Sequence, residues 1–145
     1  MGYMDIALEE AKRAMKLGEV PVGAIIIKDN KIISKAHNLK ETLNDPTAHA
    51  EILAIQKATK VLKNWRLSGC EMYVTLEPCP MCAGAILQSR ISKLHIGTFD
   101  EKTGACGSVL NIVQNDNLNF FLDLKWEYNE DCSNLLSSFF KYRRR

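Results

Sequence analysis

The run from Thr75 through Leu76, Glu77, Pro78, Cys79, Pro80, Met81 and Cys82 to Ala83 and Gly84 constrains this chain more than any other. A β-prone segment stops there at a proline, and two thiols stand three positions apart at the start of an apolar helical stretch. Such a pair can clamp a soft metal, because the positive end of a helix favours thiolates and neighbouring turns aim both sulfurs the same way. Disulfide exchange uses the same spacing, usually as Cys-Pro-x-Cys, a form that Cys79-Pro80-Met81-Cys82 also satisfies. The tie is broken upstream, where Asp45-Pro46-Thr47-Ala48 leads into a second helix that begins near His49 and carries Glu51 two residues later. One imidazole and two thiolates are one donor short of a closed tetrahedral zinc site, which leaves a corner for water and therefore for chemistry.

Around these motifs the chain alternates element types. Met4, Ala7, Leu8, Ala11, Ala14 and Met15 recur at helical spacing, and Gly18 ends that helix. β-branched runs from Val22 to Lys28 and from Lys31 to Ala36, joined by Asp29-Asn30, predict an antiparallel hairpin. Thr47 is placed to cap a helix from Ala48 to about Leu62. Glu71 to Leu76 predicts a third strand, Pro80 to about Arg90 a helix, Lys93 to Gly97 a fourth strand and Leu124 to Tyr128 a fifth. A final helix over Glu130 to Tyr142 presents Cys132, Leu135, Leu136, Phe139 and Phe140 at helical spacing, so it docks on the core. Strand, helix, strand order favours parallel pairing with helices on both faces. The expected fold class is α/β, a three-layer α/β/α sandwich around a mixed five-stranded sheet, with residues 1–145 forming one domain.

The same layout has a consequence for the site. If the strands before the two motif helices are sheet neighbours, both helices start at one edge, and His49, Cys79 and Cys82 converge where helix N-termini favour anionic ligands. Two thiolates and a neutral imidazole leave a Zn(2+) site formally uncharged, with enough Lewis acidity to bring the pKa of bound water down to roughly 7. Glu51 then stands beside the open corner as a proton carrier and not as a fourth ligand.

Composition narrows the setting. Hydrophobic residues at 46% and charged residues at 25% are ordinary for a globular protein. Charge enters at once in the segment from Met4 to Arg13, against a signal peptide, and no later apolar run nears the roughly 18 residues of a membrane span. Five cysteines with a single paired spacing argue against a disulfide framework and for a reducing, cytoplasmic setting, with Cys70, Cys106 and Cys132 as core or loop thiols. Net charge is only +2, but Lys141, Arg143, Arg144 and Arg145 crowd the end of the last helix. By charge alone they complement that helix's dipole, and they also make a patch that could meet phosphates.

His49-Ala50-Glu51 with Pro78-Cys79-x-x-Cys82 resembles the signature of the zinc-dependent cytidine and nucleobase deaminases, a pairing known for this chemistry. The segments Glu19 to Ala24, Asp45 to Glu51, Tyr73 to Cys79, Met81 to Ala85 and Asp100 to Gly104 extend it. With Phe139-Phe140-Lys141 and the arginines after it, they carry a resemblance to the bacterial tRNA adenosine deaminases over nearly the whole chain. That resemblance implies hydrolytic deamination of adenosine to inosine at the wobble position of a tRNA anticodon, by a homodimer with one zinc per chain. It implies His49, Cys79 and Cys82 as zinc ligands and Glu51 as the proton shuttle. It further implies Asn38 as a hydrogen-bonding partner of the flipped adenine, and Asp100 as an aspartate near the target ribose. Pro80 stands where the family often has an apolar residue such as valine; proline suits a first helical turn, so zinc binding is expected to survive.

Other readings fit the residues alone. A free guanine, cytosine or nucleoside deaminase shares both motifs but needs a small closed pocket instead of an open groove with basic surroundings. A structural zinc module needs a fourth protein donor, from Cys70, Cys106, His37 or His95, none of which has motif spacing. Without the resemblance, Asn38 is a turn residue, Glu77 only positions its loop, and Trp65 and Trp126 are core or interface rings. Removing Arg143, Arg144 and Arg145 is expected to weaken tRNA binding and to lower the slope of log affinity against log salt by about one for each phosphate no longer neutralised. An unchanged slope would leave the cluster a solubilising terminus.

Overall fold

The computed structural model describes residues 1–118 and 120–143, the last by its backbone. The side chain of Arg143 and the whole of Arg144 and Arg145, three of the four basic residues singled out at the end of the chain, therefore lie outside the described residues.

Asp29 and Asn30 both take positive φ, at 51° and 62°, the left-handed pair that a two-residue hairpin turn requires. They fold β1 (Gly23–Lys28) back on β2 (Lys31–His37). β3 (Cys70–Leu76) pairs antiparallel with the other edge of β1, and β4 (Lys93–Thr98) and β5 (Asp123–Trp126) continue in parallel, giving the order β2-β1-β3-β4-β5. The mixed five-stranded sheet and the hairpin match the sequence reading. The adjacency on which the convergence of the donors was conditioned is not met, since β1 lies between β2 and β3. Both run antiparallel to β1, so they run parallel to each other, and their C-terminal ends still share one edge.

Side chains alternate along the strands and divide the core in two. Ala24, Ile26, Met72, Val74, Leu94 and Ile96 face α2 (Ala50–Leu62) and α3 (Pro80–Gln88), whose Ala50, Ala54, Ala83 and Ile86 pack against them. On the other face Ile25 and Ile27 meet Met4, Ala7 and Leu8 of α1 (Tyr3–Lys16) and Cys132 of α4 (Glu130–Arg143). Four helices in two layers thus cover one sheet. Cys70, Cys106 and Cys132 are buried thiols, as expected of core positions. Trp126 packs half-buried against the core, whereas Trp65 is exposed, with the guanidinium of Arg66 4.4 Å above its ring. His95 is buried against the ring of Tyr73, its Nε2 2.7 Å from Glu71, so its strand position reflects packing.

Two boundaries differ from the sequence reading for local reasons. α2 begins at Ala50 with His49 as its N-cap, since Thr47 and Asp45 form a turn of their own through the Thr47 N–H and hydroxyl, and the Ala50 N–H is taken by Asn38 Oδ1. β5 stops at Trp126, and Tyr128 takes a positive φ of 50°.

α1 crosses β1 at Gly23, where a Cβ would run into the Ala7 carbonyl and come within 2.6 Å of the Ala11 nitrogen. Backbone on both sides leaves no flexible atom to yield. Gly23→Ala is therefore expected to destabilise the protein by at least about 2 kcal/mol in urea unfolding. A loss below about 0.5 kcal/mol would mean that α1 slides freely over the sheet.

Candidate active site

Both metal-donor segments sit where a strand hands over to a helix. His49 is the N-cap of α2, with extended backbone (φ −79°, ψ 153°), and Cys79 is the N-cap of α3 (φ −71°, ψ 173°). Pro80 occupies the first turn of α3, where its missing N–H is harmless, and Cys82 follows in the same turn. His49 Nδ1 lies 3.7 Å from Cys79 Sγ and 3.6 Å from Cys82 Sγ. A tetrahedron with zinc bonds of about 2.0 Å to nitrogen and 2.3 Å to sulfur has a nitrogen–sulfur edge of about 3.5 Å, so both nitrogen–sulfur separations suit zinc. Among the described residues no fourth histidine, cysteine or carboxylate atom joins this group, and Cys70, Cys106, His37 and His95 stand apart from it. The donor set is that of an open site and not of a closed structural one. The hydrogen bond from Cys82 to Cys79, with His49 adding to it, holds the Cys79 thiol down to about 4, while that shared proton and burial push Cys82 up.

His49 and Cys79 line a cavity of about 310 Å³ together with Glu51, Asn38 and Asp100, and Cys82 is buried behind them. Glu51, one position into α2, is buried, and burial is the main reason its carboxyl is pushed up to about 7. Asn38 does structural work as well: its Oδ1 accepts from Ala50 N–H at 2.8 Å, and its Nδ2 donates to the Val20 carbonyl at 3.1 Å. It supplies the α2 cap that sequence reasoning gave to Thr47, and one amide proton remains for another acceptor. Asp100 turns its carboxylate into its own loop, accepting from Lys102 N–H at 2.9 Å, Thr103 N–H at 3.2 Å and the Thr103 hydroxyl at 2.9 Å.

A second, larger groove of about 900 Å³ adjoins the cavity, and the two share Val20, Leu76, Asp100 and Thr103. Phe99, Lys102, Ser133, Ser137, Phe140 and Lys141 line its far side. Lys141 thus borders the groove, in keeping with its place in the basic cluster.

Two buried glutamates shape the cavity; the sequence reading gave Glu19 no role and gave Glu77 only the positioning of its own loop. Glu19, buried, accepts from Glu41 N–H at 3.1 Å and from the Thr42 N–H and hydroxyl, each at 2.6 Å. Burial opposes its charge, yet these donors prevail and hold the carboxyl below its ordinary value. Glu77 braces the loop after β4 in the same manner. The available signal was a carboxylate set among apolar residues and prolines, at Glu19-Val20-Pro21 and Leu76-Glu77-Pro78.

A family model of the MafB19-like deaminases matches residues 1–144. A tRNA-specific adenosine deaminase of Aquifex aeolicus is 54% identical over 144 residues, covering 98% of this chain and 94% of the relative. Its counterpart in Bacillus subtilis is 46% identical over 144 residues, covering 99% and 89%. A structure from work on A-to-I editing by tRNA:A34 deaminases at the wobble position superposes with a TM-score of 0.89 at 38% identity, over 92% of this chain and 98% of the other. The converging donors, the buried carboxyl beside them and these likenesses agree, and the chain belongs to the MafB19-like deaminases, on the branch of the tRNA-specific adenosine deaminases.

Proposed function

We propose that residues 1–145 act as one zinc-dependent domain that hydrolytically deaminates adenosine to inosine at the wobble position of a tRNA anticodon, as a cytoplasmic homodimer. One observation carries the choice of an RNA substrate: the cavity lined by His49, Cys79 and Glu51 adjoins, across Val20, Leu76, Asp100 and Thr103, a groove bordered by Phe99, Lys102, Phe140 and Lys141. A free base needs only a closed pocket, whereas an extruded nucleotide needs a path for its backbone and its neighbours. Lysines suit phosphates and aromatic rings suit unstacked bases. Exposed apolar side chains such as Val61, Trp65, Val109, Leu110 and Phe121 offer surface for a second copy, and free thiols at the site favour a reducing compartment.

His49, Cys79 and Cys82 hold the zinc. When bound, it supplies the Lewis acidity that makes water a nucleophile near neutral pH. Glu51 carries the protons, and a carboxyl raised to about 7 can both take and release one under cellular conditions. It takes a proton from the water that adds to C6 and passes it to N1 of the adenine. It then moves the remaining hydroxyl proton to the C6 amino group, which leaves as ammonia, and the N1 proton stays on inosine. Asn38, held by Ala50 and Val20, turns its free amide proton toward the base. Asp100 and Thr103 border the passage to the groove, beside the ribose. Lys141 and the arginines after it meet the RNA backbone.

Incubation with an anticodon stem-loop carrying the wobble adenosine, and separately with adenosine, guanine, cytosine and cytidine, followed by mass spectrometry, is expected to yield inosine from the RNA. Turnover of guanine or cytidine with none of the RNA would assign the free-base reaction. Stripping the metal with a chelator is expected to abolish turnover, and added zinc to restore it. Glu51→Gln is expected to fold and keep its zinc while losing about 100-fold or more in kcat. A kcat within about threefold of the parent would move the proton work to another group.

A further inference from the structure

Glu77 lies two positions before Cys79, at 2% exposure, and among the described residues it has no ion pair. Its oxygens are nonetheless fully occupied. Oε1 accepts from Asp100 N–H at 3.0 Å and from the Ser108 hydroxyl, and Oε2 accepts from Cys106 N–H at 2.9 Å and Ser108 N–H at 3.1 Å. Those bonds fill the roughly four acceptor positions of a carboxylate, which leaves no lone pair for a metal, a substrate or a proton relay. Every donor comes from one stretch, residues 100–108, which closes around the carboxylate like a collar. Gly104 completes it, since a Cβ there would strike the Glu77 carboxylate and the Asp100 carbonyl. The backbone adds to the same tie: Glu77 N–H donates to Thr98 O at 2.8 Å, and Ala105 N–H to Pro78 O at 2.9 Å.

We infer that Glu77 is a positioning residue, which fixes the 100–108 loop as the shared wall of the cavity and the groove and locks that wall to the segment bearing Cys79. Asp100 and Thr103, on this loop, line both spaces, so the loop's position decides how the substrate passes from one to the other. A free loop would have to be ordered at each binding event, and that ordering would be charged against affinity. Gln is nearly isosteric with Glu but presents an NH₂ in place of one oxygen. Turned one way that NH₂ faces the Cys106 and Ser108 N–H groups, and turned the other way it faces the Asp100 N–H while the Ser108 hydroxyl can rotate to accept, so either orientation leaves at least one backbone donor of the collar unpaired without any change of volume.

The inference rests on the proposed RNA deaminase activity, and the test separates the two. For Glu77→Gln, KM for an anticodon stem-loop is expected to rise about tenfold with kcat within about threefold and zinc still at one per chain. Hydrogen exchange at the amides of Asp100, Cys106 and Ser108 is expected to quicken by a similar factor. Ser108→Ala removes one hydroxyl donor and is expected to produce the same pattern at smaller amplitude, which keeps the inference testable if the glutamine variant fails to fold. A lower melting temperature with unchanged KM and unchanged loop exchange would make Glu77 a stability residue only and overturn the inference. So would loss of zinc with the loop still protected. Absence of RNA turnover by the unsubstituted protein would sink the substrate assignment, while the exchange comparison would still decide the role of Glu77.

Discussion

Everything at the site depends on the direction of β1. Because β2 and β3 are both antiparallel to it, they end at the same edge, and the helices that follow them start side by side over the same face. Three donor atoms from segments 30 residues apart in the chain then need only the extended N-cap conformation at His49 and Cys79 to come within 4.8 Å of one another. The helix end also contributes to the electrostatic setting, since the start of α3 favours a thiolate at its N-cap Cys79. Sheet topology here does the work that ligand spacing alone cannot, because Cys-x-x-Cys by itself leaves the third donor unspecified.

A second constraint follows from placing a site at a sheet edge: its walls are loops, and loops carry unpaired backbone donors. Two buried glutamates gather them. Glu19 collects the N–H groups of Glu41 and Thr42 on one side of the cavity, and Glu77 collects those of Asp100, Cys106 and Ser108 on the other. Asn38 joins the first wall to the metal-bearing helix through Ala50 N–H. The loops are thereby tied by charge-assisted bonds, which are stronger than neutral ones, and the helix start by the neutral bond to Asn38.

The parts of this arrangement that were legible in the sequence are those encoded locally. Asp29-Asn30 announced a left-handed turn, the apolar spacing of α1 and α4 announced docked helices, and the proline and cysteines of α3 announced both its start and its chemistry. The parts that were not legible are those set by partners distant in the chain. The Asn38 cap of α2 reaches across 12 positions, the Glu77 collar across as many as 31, and β1 inserts between two strands whose helices meet. Propensity reads a window; these bonds are properties of the assembled edge. Asn38 shows the difference well, since a turn residue and a substrate-facing residue look identical in sequence, and here its side chain does a helix cap's work while still lining the cavity.

Glu19 and Glu51 show how one residue type is given opposite roles within a single cavity. Both are buried, and burial raises a carboxyl's pKa in each case. Around Glu19, hydrogen bonds from Thr42 and Glu41 outweigh that penalty, so its charge is retained and it serves as an anchor. Around Glu51, desolvation prevails with the charge of Cys79 adding to it, and the opposing pulls of its own backbone N–H, of His49 and of Cys82 are too weak to restore the ordinary value. An anchor must keep its charge across the working range, and a proton carrier must be able to lose it. The number of N–H donors aimed at the carboxylate is what distinguishes the two, and that number is set by which loop passes overhead.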